Sequence, residues 1–202
     1  MPSPFGHVLG GVAVVWGADL LDHRRSSPRF VAACGALATL PDVDLLFPGN
    51  HRMWSHSITA AVLTSIIAAA VTGQVTRRRV ALEPFSPGRS HNRRSAVRAA
   101  LVCGAAYLSH LVLDWLAVDT WPPYGLQILW PFSDRWFMSG WHVFRQTARD
   151  RLFTAAIMKQ NVLAIAQEMA ILLPIVVALW LVRVKTVTGL PAEATGGHHP
   201  AE

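Results

Sequence analysis

The chain has 202 residues, of which 52% are apolar and only 15% are charged, with a net charge of +6 and a mean hydropathy of +0.33. Soluble domains carry about 25% charged residues, so the composition excludes an ordinary soluble globular protein and points to a membrane. All but two of the basic residues (Lys159 and Lys185) are arginine, which in an apolar chain marks cytoplasmic loops more than a nucleic-acid surface.

The elements predict an all-α integral membrane bundle of about five helices. Apolar runs fall at residues 7–22, 30–40, 58–75, 96–118 and 161–182. A bilayer core takes roughly 20 residues of helix, so the last three runs read as spans and the first two as short or re-entrant. No basic residue precedes the first run, which argues for a retained segment instead of a cleaved leader. Residues 77–98 are basic and rich in turn formers and read as a flexible loop. Residues 119–160, rich in Trp, Pro and Arg, read as an ordered segment lying on the outer surface. Residues 1–190 form one membrane-embedded domain, and 191–202 a disordered tail. Cys34 and Cys103 lie in apolar runs and read as buried thiols.

Orientation follows from the arginines. With five crossings and the N-terminus outside, twelve of the eighteen basic residues fall on the cytoplasmic side. The C-terminus is then cytoplasmic, and His7, the Asp42–His56 region and the end of the fourth helix all meet at the outer face. Six tryptophans, from Trp54 to Trp141, cluster on or near that face, as interfacial rings or as the core of an outer loop. At the other end Asp19 and Asp22 stand next to Arg24 and Arg25, and local ion pairing accounts for them.

Chemistry concentrates in a few places. AYLSHLVLDW carries His110 and Asp114 one helical turn apart on one face. An ionisable residue inside a membrane costs about 2.5–3.5 kcal/mol on insertion scales and is rarely kept without a use. A divalent cation would take a neutral imidazole and a carboxylate together; for an isolated HxxxD a hydrogen bond between helices is the favoured reading. PDVDLLFPGNHRMWSHS adds Asp42, Asp44, His51, Arg52 and His56 within fifteen residues, between strongly apolar flanks. A solvated loop explains one or two such residues but four poorly, so a metal site is favoured. Ser55 reads as the N-cap that sets His56 in the first turn of the third helix. His7, in FGHVLGG, joins the set because it shares the same face, and Gly6, Gly10 and Gly11 would admit a close helix. No role falls to His91, His198 or His199, and Glu168 reads as a helix-to-helix contact.

Gly-His near the start, then PDVD, HRMWSHS, HLVLD and YGLQILWPF, in that order over residues 5–137, resemble the membrane-bound metal-dependent hydrolases. That family is also described as LexA-binding, inner-membrane-associated hydrolases. The resemblance implies a metal site and hydrolysis at an inner membrane, with a LexA-type regulator as a partner by label. The order His7, Asp42, His56, His110, Asp114 is also similar to the ligand order of zinc-dependent phospholipases C and related single-strand nucleases. Their N-terminal tryptophan ligand and closing histidine–carboxylate pair have no counterpart here, which implies one or two metals instead of three.

The expected function is a metal-dependent hydrolase. His7, Asp42, His56, His110 and Asp114 are the candidate ligands, and zinc is the first choice, ahead of manganese or iron. His51 or Asp44 would act as general base, or Asp44 would orient a ligand histidine. Arg52 would stabilise a phosphoryl oxyanion or pair with an aspartate. Membrane lipid and a phosphoester or lipid-linked substrate are the expected partners; nucleic acid is disfavoured. The rivals are a non-enzymatic membrane protein with a structural metal and a basic partner-binding loop, and a metal transporter, ranked last for want of polar residues along the helices.

Overall fold

The computed structural model describes residues 1–46, 52–82, 89–148 and 153–188. Its elements are α1 (Pro4–Leu21), α2 (Pro28–Leu37), a short 3-10 helix (Leu40–Leu46), α3 (Ile58–Leu82), α4 (Arg89–Trp115) and α5 (Ala155–Thr188). No strand occurs among the described residues; only isolated bridges such as Leu126 to Phe137 tie the segment between α4 and α5. The fold is all-α, as the composition implied.

Local chemistry sets the boundaries. Ser3 accepts the Gly6 N–H and Pro4 starts α1; Ser27 accepts the Phe30 N–H and Pro28 starts α2. A serine cap followed by proline at the first helical position satisfies one orphan donor and removes another. Each helix therefore begins two or three residues before its apolar run. The cap of α3 is Ser57, whose hydroxyl accepts the Ala60 N–H, and not Ser55 as the sequence suggested. His56 consequently lies just before α3. The segment expected as a flexible loop at 77–98 is largely helical: α3 continues to Leu82 and α4 starts at Arg89, since Arg, Ala and Leu are strong helix formers. Similarly, α5 begins at Ala155, six residues before its apolar run.

Among the described residues four helices are long and apolar enough to cross a membrane: α1, α3, α4 and α5. At ten residues, α2 is too short, about 15 Å. Helix α4 is central and packs on α1, α2 and α3, while α5 packs on α1. Val15, Cys34, Val102, Cys103 and Ala106 form the core between α1, α2 and α4. By contrast α3 leaves Val62, Leu63, Ile66, Ile67 and Val71 exposed, an apolar face suited to lipid. Gly11 lets α2 come close: a Cβ there would stand 2.7 Å from the Cys34 carbonyl oxygen and 2.8 Å from the Ala38 Cβ.

Asp19 is fully buried and does not pair locally with Arg24 or Arg25. Its oxygens accept Arg98 Nη2 at 2.7 Å, Arg183 Nε at 2.6 Å and the Ser26 hydroxyl at 2.6 Å. Arg98 also bonds Asp22 through Nε at 2.7 Å. The pairing is long-range because α4 and α5 bring in guanidinium groups that reach the buried carboxylate. This ionic clamp ties α1, α4 and α5 at the end of the bundle opposite His7.

Candidate metal centre

Three helix ends and one short turn converge on a small polar volume. His7 lies in the first turns of α1, His110 and Asp114 in the last turns of α4, Asp42 and Asp44 on the 3-10 helix, and His56 just before α3. The side chains of His7, His56, His110, Asp44 and Asp114 are completely buried, and that of Asp42 is 12% exposed.

The distances would let these side chains share a cation. Asp114 Oδ2 lies 3.2 Å from His110 Nε2 and 3.4 Å from His56 Nε2, while Oδ1 lies 3.5 Å from His7 Nε2. Asp42 Oδ1 lies 3.9 Å from both His56 Nε2 and His110 Nε2. The rings of His7 and His110 stack with centroids 3.7 Å apart. Two triads have donor atoms mutually within 4.8 Å: His7–His110–Asp114 and Asp42–His56–His110, which share His110.

The tautomers follow from the outer bonds. His110 Nδ1 lies 2.8 Å from the Ala38 carbonyl oxygen, so it must carry hydrogen and donate. His56 Nδ1 lies 3.1 Å from Asp44 Oδ2 and 3.0 Å from the Ser55 hydroxyl, and it donates to the carboxylate. Both imidazoles then direct Nε2 lone pairs inward, 3.1 Å apart. Two lone pairs at that distance repel unless a proton or a cation lies between them. In the metal-free protein a proton on His56 does so: burial pulls the His56 pKa down, but the nearby Asp114 and Asp44 carboxylates outweigh it and push it up to about 9. Both ring nitrogens of His7 and both oxygens of Asp114 are buried without a hydrogen-bond partner. Buried polar atoms are almost always satisfied, so four such atoms on two adjoining side chains fit a site for a cation. The residues fit such a group, and mixed imidazole and carboxylate donors suit zinc, then manganese or iron.

The other predicted residues stand around this set. Asp44 Oδ2 also accepts the Arg52 N–H at 2.8 Å and the Ser55 hydroxyl at 2.6 Å, so Asp44 holds His56 and the turn beside it. The Arg52 side chain pairs with Asp119, which also accepts the Gly125 N–H at 2.7 Å. This pair keeps the Asp119 carboxyl below its ordinary range even though burial acts the other way. His51 lies outside the described residues, as does the tail.

Two buttresses flank the set, of which Tyr107 went unread in the sequence. The Tyr107 hydroxyl donates to the Ser55 carbonyl at 2.6 Å. Its signal was its place three residues before His110, on the same stripe of α4. Glu168 accepts the Ser3 N–H at 2.8 Å and the Ser3 hydroxyl, fully buried, and its Oε2 would stand 2.9 Å from a Cβ at Gly6. It thus joins α5 to the start of α1, one residue from His7.

The model of the family described as YdjM inner membrane protein matches residues 1–189. The chain belongs to the YdjM inner membrane protein family. It is similar to the inner membrane protein YbcI of Escherichia coli (strain K12), with 28% identity over 154 residues, covering 72% of this chain and 76% of that protein. No solved structure matches the chain. Family and helices together make this a multi-pass inner membrane protein.

Proposed function

We propose that this chain is a membrane-embedded, metal-dependent hydrolase acting on a phosphoester or lipid-linked substrate. The facing Nε2 atoms of His56 and His110, inside a ring of Asp42, Asp114 and His7, carry this reading. The resemblance to membrane-bound metal-dependent hydrolases and to phospholipase C ligand order supports it, as does a site where apolar helices meet water.

One or two divalent cations, zinc by preference, would bind these five side chains and bring water into ionisation near neutral pH. Asp42 is the ligand carboxylate that solvent reaches, so substrate and water approach from its side. Asp44 fixes the His56 ring and keeps its Nε2 inward. His51, a base offered by the sequence alone, would take the proton from attacking water. Arg52 would share its guanidinium between Asp119 and a phosphoryl oxygen. The site would face the outside and the basic end the cytoplasm, so a reporter fused at Pro87 reads cytoplasmic; an external reading overturns the orientation.

Complete burial of four of the five ligands favours a second reading, a closed structural metal in a non-enzymatic protein whose basic segment binds a LexA-type partner. Elemental mass spectrometry on detergent-purified wild type, His110→Ala and Asp114→Ala, with helicity checked, tests the metal. One or two equivalents in wild type, lost in both variants, are expected. No metal after growth in excess metal without chelator overturns both readings. Turnover of phosphoesters by the loaded wild type then separates hydrolase from structural site.

A further inference from the structure

We propose that the groove between α1 and α4 binds one anionic phospholipid, its phosphate held by Arg24, Arg93 and Arg94. The groove encloses about 1180 Å³ at the end of the bundle away from the candidate metal centre. From His7 to Leu21, α1 rises about 21 Å, so the two sites occupy opposite ends of one helix.

Its wall is apolar and faces outward. Leu21, Val97 and Leu101 are 84%, 50% and 68% exposed, in positions where a membrane supplies acyl chains and not water. Gly17 forms the floor: a Cβ there would meet nothing within 4 Å, so a slot is left open along the helix.

Its mouth is cationic, and three of its guanidinium groups have no ion pair among the described residues. Arg98 is committed to Asp19 and Asp22. Arg24, Arg93 and Arg94 line the same groove and make no ion pair among the described residues. Among the described residues Asp22 is the one acidic group lining the groove, and Arg98 neutralises it. Three exposed guanidinium groups where two spans end suit a phosphate at headgroup depth above two chains. The neighbouring groove between α1 and α2 differs here, because its Arg183 is bound to Asp19 and only Arg25 remains.

The test is native mass spectrometry of the detergent-solubilised full chain titrated with phosphatidylglycerol or with phosphatidylcholine. One phosphatidylglycerol retained with about tenfold preference is expected, and Arg24→Ala/Arg93→Ala/Arg94→Ala removes the preference. Arg29→Ala/Arg77→Ala/Arg78→Ala lowers the net charge equally outside the groove and keeps it. Gly17→Leu fills the slot without touching a charge and lowers lipid retention severalfold, which keeps the test open if the triple variant fails to fold. Equal retention of both lipids overturns the site, as does equal loss in the two triple variants. A monomer-to-dimer shift caused by Gly17→Leu with lipid unchanged assigns the groove to a second copy instead.

Discussion

Replacing Asp44 by asparagine isolates the residue that orients a ligand without being one. Three donors converge on its Oδ2: His56 Nδ1 at 3.1 Å, the Arg52 N–H at 2.8 Å and the Ser55 hydroxyl at 2.6 Å. Asp44→Asn preserves the shape and one acceptor oxygen but removes the charge. A hydrogen bond to a charged acceptor contributes about 1.5–3 kcal/mol and a neutral one about 0.5–1.5, so each bond weakens by about 1 kcal/mol. One to two such losses felt at His56 correspond to about a 5- to 30-fold drop in metal affinity, overlapping the range of about 10- to 100-fold usual for this kind of partner. The assay is zinc competition against a chromophoric chelator, with helicity measured in parallel. Affinity within twofold of wild type, while His110→Ala loses metal, would refute the orienting role. Loss of all metal in a folded Asp44→Asn would make Asp44 a ligand itself.

Four other predictions follow from the structure. Because the His56 pKa is raised from 6.5 to about 9, its contribution to the metal-free protein is full below about pH 6.5 and is lost as pH rises through 9. The thermal midpoint of chelator-treated protein should fall over that window, and a rising profile refutes the assignment. Metal uptake near pH 7.5 should release about one proton, read by calorimetry in two buffers of different ionisation enthalpy. Gly11→Val drives a side chain into the Cys34 carbonyl and the Ala38 Cβ, displacing the Ala38 oxygen that holds His110. It should cost about 1–3 kcal/mol and reduce metal content, whereas Gly17→Ala, with open space around it, leaves both intact in the same unfolding and metal assays. Arg183→Ala leaves Asp19 buried with one guanidinium fewer; a loss of about 1–3 kcal/mol by detergent-phase unfolding is expected, with metal content unchanged.

What the sequence made legible was local. The turn between His110 and Asp114 follows from the helical period alone, and Asp42 with His56 from density of ligand-type residues between apolar flanks. Asp44, offered by the sequence as a base or as the orienter of a ligand histidine, lies beside His56 and accepts the Ser55 hydroxyl. The hidden parts rest on backbone or distance. The partner of His110 is a carbonyl, Ala38, which no side chain announces. Ser55 and Ser57 look equivalent in SHS, and only packing decides that one caps α3 while the other bonds Asp44. Asp19 was read against its neighbours in sequence, yet Arg98 and Arg183 lie 79 and 164 residues away. Glu168 was read as a helix contact, and the contact proves to be Ser3 at the cap of α1.

The ionic clamp and the ligand set are spaced alike on two antiparallel helices. On α1, Asp19 follows His7 by twelve residues; on α4, His110 follows Arg98 by twelve. Both intervals rise about 18 Å, so the helices meet like the uprights of a ladder with two matched rungs. Inserting or deleting one residue between the rungs on either helix turns everything beyond it by about 100° and shifts it by about 1.5 Å. Only one rung could then be joined. These two stretches should therefore accept many single substitutions at their lipid-facing positions and almost no change of length, unless both helices change by the same number.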